Sequence, residues 1–131
     1  MKLSSSVHYG VRIIAHLAAS GEPQTRGQIA EAKHITKAYV NKLLQPLKRA
    51  NMVRSTRGPN GGYELNRDAD SITVAAVYEA MEGPLDLVPC RHDSCENTGG
   101  CSVSDVWVKA ENSFKTVLEE RTIAELIATK A

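Results

Sequence analysis

The pair Asn60-Gly61 constrains this chain more than any other short segment. Asn followed by Gly signals a tight hairpin, because both central residues of the favoured two-residue turn need positive φ. On either side, Met52-Val53-Arg54-Ser55-Thr56 and Tyr63-Glu64-Leu65 read as two short strands. The rest of the periodic sequence is helical, so one β-hairpin must attach to a set of helices.

Apolar residues at Val7, Val11, Ile14 and Leu17-Ala18 predict a helix over residues 4–19, stopped by Ser20-Gly21-Glu22-Pro23. Thr25 is placed to cap a short second helix to about Ala32, and 33–35 form a turn. Thr36 then caps a third helix to about Ala50, with Val40, Leu43, Leu44 and Leu47 as its buried stripe. Pro46 lies inside that stretch, where a kink or an early end is expected of proline. A fourth helix is predicted from Ile72 to Met81, closed by Gly83-Pro84. Residues 85–102 form a polar loop holding all three cysteines, followed by helices over about 104–120 and 123–129.

This order, two short helices joined by a tight turn and followed by a hairpin, predicts a mainly α fold with a small β-hairpin wing. The fold class is a winged helix-turn-helix with a long C-terminal dimerisation helix. The expected partition is a DNA-binding domain over 1–83, a cysteine loop over 84–103, and a dimerisation helix with a short terminal helix over 104–131.

Net charge becomes informative once the chain is divided. Residues 1–67 hold eleven Lys or Arg against three acidic residues, a net of +8, whereas residues 68–131 hold five against twelve, a net of −7. A basic half suits a polyanion, and a separate acidic half suits another task; the plainer alternative is two solvated faces that merely differ. The start, MKLSSSVHYGVR, has no apolar run or cleavage site of a signal peptide, and no stretch is apolar enough to span a membrane. A soluble, cytoplasmic protein is expected. With one Trp and one Phe the core is modest, and oligomerisation or a metal commonly completes such a domain.

A helix fits the major groove, while a wing lies along the backbone or in the minor groove. Ala38, Tyr39 and Asn41, near the start of the third helix, are candidate base readers. Arg26, Lys37 and Lys42 suit phosphates, where a point charge gives affinity without sequence information. Arg57 is the natural minor-groove probe of a wing contact formed by Arg57, Gly58, Pro59, Asn60 and Gly61. Any single lysine here could equally be a solvated helix charge, and Tyr39 and Tyr63 fit helix and wing packing better than base contact.

The segment Val53-Arg54-Ser55-Thr56-Arg57-Gly58-Pro59-Asn60-Gly61-Gly62-Tyr63 resembles the wing signature of the IscR/NsrR-type iron–sulfur regulators. Met1-Lys2-Leu3-Ser4, Thr36 with Tyr39-Val40, and Thr122-Ile123-Ala124-Glu125-Leu126 are similar to that family too, so the resemblance runs over essentially the whole chain. It implies a homodimer with crossing C-terminal helices that binds a palindromic promoter site. It also implies that Asn41 reads bases and that Arg57 enters the minor groove.

Cys90-x4-Cys95-x5-Cys101 puts three thiols within twelve residues, close enough to ligate one inorganic centre, and iron–sulfur clusters favour thiolates. An odd count in a reducing compartment argues against a disulfide. Zinc sites prefer C-x2–4-C pairs, which only the first spacing matches; thiol redox chemistry without metal is the other alternative. The resemblance strengthens the iron–sulfur reading, since the family places three cysteines in this loop. IscR-type members carry a His three residues after the last cysteine, where this chain has Ser104. The metal ligands expected are therefore Cys90, Cys95, Cys101 and His8, which matches a position where NsrR-type members offer an acidic ligand from the partner subunit. His92, then Asp93 and Asp105, are alternatives for the fourth. A [2Fe–2S] cluster is placed ahead of [4Fe–4S].

Val103, Val106-Trp107, Ala110, Phe114, Val117-Leu118 and Arg121 recur at three- and four-residue steps, a coiled-coil-like seam. Two-fold symmetry would then require a palindromic operator. Taken together, the residues predict a promoter-binding regulator controlled by an iron–sulfur cluster that senses iron, redox state or nitric oxide. A cluster-free repressor sensing thiol state or a partner protein is the alternative. No catalytic frame such as G-x-S-x-G, H-E-x-x-H or a P-loop is present, so an enzyme is not expected.

Overall fold

The computed structural model describes residues 2–87 and 101–129. Helix α1 (Ser5–Ser20) is capped by Ser4, whose hydroxyl accepts the Val7 N–H, and ends at Gly21 in the left-handed region. Helix α2 (Arg26–Lys33) begins with a full capping box, Thr25 and Gln28 each satisfying the other's backbone N–H. His34 closes it in the left-handed conformation, and the Ile35 N–H donates to the Ala30 carbonyl at 3.1 Å. That bond adds to the His34 N–H on the same carbonyl and makes the turn tight.

Helix α3 (Lys37–Arg49) continues past Pro46, so the early end does not occur. Proline costs a helix interior roughly 3 kcal/mol. The cost is offset because Val40, Leu43, Leu44 and Leu47 are all buried on one stripe across the main core. Asn51 then takes φ 59°, and the Met52 N–H reaches the Leu47 carbonyl at 3.1 Å, turning the chain into the hairpin.

Strands β1 (Val53–Thr56) and β2 (Gly62–Leu65) pair antiparallel, with Val53 opposite Leu65 and Thr56 opposite Gly62. The connection is therefore five residues long, not a two-residue turn on Asn60-Gly61. Neither Asn60 nor Gly61 has positive φ; Gly58 does, at 109°, and the Gly61 N–H donates to the Gly58 carbonyl at 2.9 Å. The turn centres on Pro59-Asn60 because proline's ring fixes a negative φ suited to the first central position of a type I turn. Gly62 is needed for space: a Cβ there would stand 2.5 Å from the Gln24 carbonyl oxygen. At that point the Gln24 and Tyr63 backbones exchange hydrogen bonds of 2.9 and 2.7 Å, tying the wing to the start of α2.

A short 3-10 turn, Ala69–Ser71, leads to α4 (Val74–Glu82), and beyond the cysteine loop come α5 (Ser104–Glu119) and α6 (Ile123–Ala128). The last helix returns to the amino-terminal core: Ile123 is fully buried there, its N–H donates to the Ile72 carbonyl at 2.8 Å, and α6 packs on α1. So α6, grouped by sequence with the dimerisation helix, is part of the winged-helix core.

The seam on α5 divides. Phe114 is half-buried with its ring edge-on to Tyr78 at 6.3 Å, which gives it a partner in its own chain. Val103, Val106, Trp107 and Val117 are instead 49–60 % exposed on another stripe. No helix among the described residues is long and apolar enough to cross a membrane.

Candidate nucleic-acid interface and cysteine loop

Opposite its buried stripe, α3 presents Lys37, Ala38, Lys42, Gln45, Lys48 and Arg49 to solvent, with Asn41 half-buried. Thr36 accepts the Tyr39 N–H at 3.1 Å, so the first turn of this face is held by its own cap. Across a shallow cleft stands the first turn of α2. Thr25, Arg26, Gly27, Lys37, Ala38 and Asn41 line the cleft together. Within it the Arg26 guanidinium donates from Nη1 to Asn41 Oδ1 at 3.2 Å. The sequence alone suggests separate tasks for these two residues; nothing in a 15-residue separation announces the contact.

Tyr39 points away from that cleft. Its hydroxyl donates to Ser5 Oγ at 3.2 Å and its ring lies edge-on to Tyr9 at 5.8 Å, which is the packing use of this residue. Tyr63 similarly packs on the core, with Lys48 Nζ 5.8 Å above its ring. The wing exposes Arg57, Gly58, Pro59 and Asn60, with Gly61 half-buried at its base. Arg54, counted as a free cation in the sequence, is paired across the strands to Glu64 at 2.9 Å.

Of the expected metal ligands, Cys90 and Cys95 lie outside the described residues, as do His92 and Asp93. Cys101 is a free, half-buried thiol just before α5, and Ser104 donates from Oγ to its carbonyl at 3.0 Å. His8 is exposed on α1, edge-on to Tyr9 at 5.7 Å. Asp105 is ion-paired to Lys109 at 3.0 Å. Among the described residues no three His, Cys, Asp or Glu side chains stand together closely enough to hold a metal. Cys101 nonetheless suits a thiolate-ligated cluster, being a free thiol shortly before α5, and thiolate sulfur is the donor that iron–sulfur centres take.

Two anchors hold the amino-terminal end of the cysteine loop. Glu111, buried on α5, accepts the Leu87 N–H on Oε1 at 3.3 Å. Glu82, the last residue of α4, accepts hydroxyl hydrogen bonds from Ser4 and Ser6 at the start of α1. Those two hydroxyls hold its carboxyl below the ordinary carboxylate range, against a small opposing effect of burial. Neither anchor was legible in sequence.

A helix-turn-helix with a tethered wing and a basic exposed face on α3 defines a DNA-binding protein. The chain belongs to the Rrf2 family of iron-dependent transcriptional regulators, whose family model matches residues 3–129. It is 31% identical over 130 residues to an HTH-type transcriptional regulator of Haemophilus influenzae, covering 97% of this chain and 87% of that protein. Its structure is similar to CymR (YrzC), the global cysteine regulator of B. subtilis, with a TM-score of 0.83 and 26% identity, covering 100% of this chain and 99% of that one. It is equally similar to T. potens IscR, with a TM-score of 0.83 and 28% identity, covering 100% and 89%. The family is one of transcriptional regulators, not of enzymes.

Proposed function

We propose that this chain is a homodimeric promoter-binding regulator whose affinity for a palindromic operator is set by an iron–sulfur cluster in the loop over residues 84–103. The observation that carries the reading is the trio Cys90, Cys95 and Cys101 in a chain of an iron-dependent family. Those cysteines would hold the cluster, with His8 of the partner subunit as the fourth ligand, and [2Fe–2S] is preferred to [4Fe–4S]. When bound, the cluster supplies a centre that iron starvation, oxygen or nitric oxide can remove.

The protein side of the switch is a set of short links. Glu82 joins the start of the loop to the first turn of α1, and Glu111 holds Leu87 against α5. From His8, edge-to-face contacts run through Tyr9 to Tyr39 in the first turn of α3. Fixing the loop and His8 therefore fixes how the two groove-reading helices of a dimer are spaced. A coupling of ~1–3 kcal/mol between loop and operator is enough for regulation. At the DNA, Lys37 and Lys42 meet phosphates, Ala38 and Asn41 face base edges, and Arg57 leads the wing, with Gly58, Pro59, Asn60 and Gly61, into the minor groove.

A cluster-free regulator responding to thiol state or to a partner protein is the second reading. It is favoured by the equal structural likeness to a global cysteine regulator and by Ser104 standing where IscR-type members carry a histidine. Anaerobic native mass spectrometry of the purified protein separates the two. The first reading expects a dimer carrying iron and sulfide mass, lost in Cys90→Ala, Cys95→Ala and Cys101→Ala, with altered operator affinity. A mass equal to two bare chains, with operator binding the same in all three variants, overturns it.

A further inference from the structure

We propose that Arg26 and Asn41 form one base-reading unit that selects guanine, so that Arg26 determines specificity and is not merely a phosphate contact. This rests on the DNA-binding reading above and assigns the chemistry of one base position within it.

The argument starts from what each group can offer. A guanidinium has only donors, so the amide that meets it must present its oxygen. At 3.2 Å from Arg26 Nη1, Asn41 Oδ1 is turned toward α2, and the Nδ2 group is left as the amide's free end. An asparagine reads adenine by using both ends at once, Oδ1 accepting from N6 and Nδ2 donating to N7. Here a cation already stands against Oδ1, and adenine's N6 amino group would meet other donors. Cytosine presents an amino group as well and wants a carboxylate, yet the cleft lining carries Arg26 and Lys37 and no acidic residue. Guanine offers two adjacent acceptors, N7 and O6, which match Asn41 Nδ2 and a remaining Arg26 N–H. Thymine offers one acceptor beside a methyl group and satisfies only half of the pair.

The placement is suited to this use. Arg26 is the first residue of α2, inside the Thr25–Gln28 capping box, so its backbone is fixed before the side chain reaches across. Asn41 is half-buried, which limits the rotamers open to it, whereas Arg26 is exposed and can complete its contacts to DNA.

The test is selection of operators from a randomised duplex library by the full-length anaerobically purified protein and its Arg26→Ala, Arg26→Lys and Asn41→Ala variants. Unchanged thermal melting confirms that each variant is folded. The wild type is expected to enrich guanine at one position in each half-site. Arg26→Ala and Asn41→Ala are expected to lower that preference by on the order of tenfold, the discrimination of a bidentate base contact, without changing the other positions. Arg26→Ala should move the position toward adenine, because Oδ1 is released. Arg26→Lys keeps the charge and loses the fork, so it too should lose guanine. If Arg26→Lys selects like the wild type and Arg26→Ala only weakens all sequences evenly, Arg26 is a phosphate contact and the unit does not exist. If the wild type enriches no duplex at all, DNA reading itself falls, and the pair falls with it.

Discussion

The Tyr39 hydroxyl donates to Ser5 Oγ at 3.2 Å, pinning the first turn of α3 to the first turn of α1. The contact joins the groove-reading helix to the helix that carries His8, and it is the packing use that the sequence favours for this side chain over base contact. Tyr39→Phe removes the hydrogen bond and leaves the ring on Tyr9. Unfolding free energy should fall by no more than about 1 kcal/mol, the net worth of an ordinary hydrogen bond, with base preference unchanged. Denaturant unfolding beside operator titration checks this. A shifted base preference at unaltered stability would make Tyr39 a reader instead.

Gly62 should be intolerant of any side chain. Its backbone approaches Gln24 so closely that an added Cβ would stand 2.5 Å from the carbonyl oxygen. Either the wing separates from α2 or the pair of Gln24–Tyr63 hydrogen bonds breaks. Gly62→Ala is therefore expected to cost roughly 1–3 kcal/mol of stability, the usual penalty of forcing atoms into occupied space. The same variant should bind operator more weakly, because Arg57 is carried by that wing. Urea midpoints and operator titrations set against those of the wild type provide the measurement.

Glu82 gives a pH dependence with a definite sign. Its folded-state carboxyl titrates below its ordinary value of 4.5, because Ser4 and Ser6 hydrogen-bond the ionised form. The stabilisation is fully present above the ordinary value and is lost as pH falls through the lower folded-state value. Glu82→Gln should thus be less stable than wild type at neutral pH, and the gap should close on acidification below about 4.5. The side chain is exposed, so the gap is small. A gap that widens in acid contradicts the hydrogen-bond assignment.

The caps were the most legible features of the fold. Thr25 and Thr36 each sit three residues before an N–H they satisfy, a local relation that sequence displays directly. The third helix was legible for the same reason, its apolar stripe being periodic. The wing turn was misplaced by sequence because Asn60-Gly61 is the stronger isolated signal, while Pro59 one step earlier fixes the turn by covalent geometry. For Phe114, the heptad pattern cannot reveal that Tyr78, on another helix, meets its ring. Of the candidate site, exposure on α3 and at Arg57 could be read from the pattern. The Arg26–Asn41 and Glu82–Ser4 contacts could not, since each depends on where two helices cross.

Arg57 separates electrostatic anchoring from sequence reading. It is exposed at the start of the wing loop, and no described acidic partner holds it as Glu64 holds Arg54. Each phosphate contact made by a cation contributes about 0.9 to the slope of log affinity against log salt. Arg57→Ala should weaken operator binding and lower that slope by about 1 for each subunit that loses a contact, whereas Arg54→Ala should leave it nearly unchanged. Equal slopes for wild type and Arg57→Ala would remove the wing arginine from the interface.

The exposed stripe on α5 supplies the last expectation. Trp107 is 49% exposed, and Val106 and Val117 are 56% and 60% exposed, so apolar side chains line a helix face that the described residues leave about half uncovered. Leaving such a stripe in water forfeits about 25 cal/mol for each Å2 that a partner could bury. Two-fold pairing would set this stripe against its own copy on a second chain. Val106→Glu and Val117→Glu, combined, put two like-charged pairs into that contact without touching Ile123 or the core beneath α6. Sedimentation should then report monomers, circular dichroism should report unchanged helix content, and operator affinity should fall steeply because only one half-site is held at a time. Dimers persisting in the double variant would place the subunit contact elsewhere on the chain.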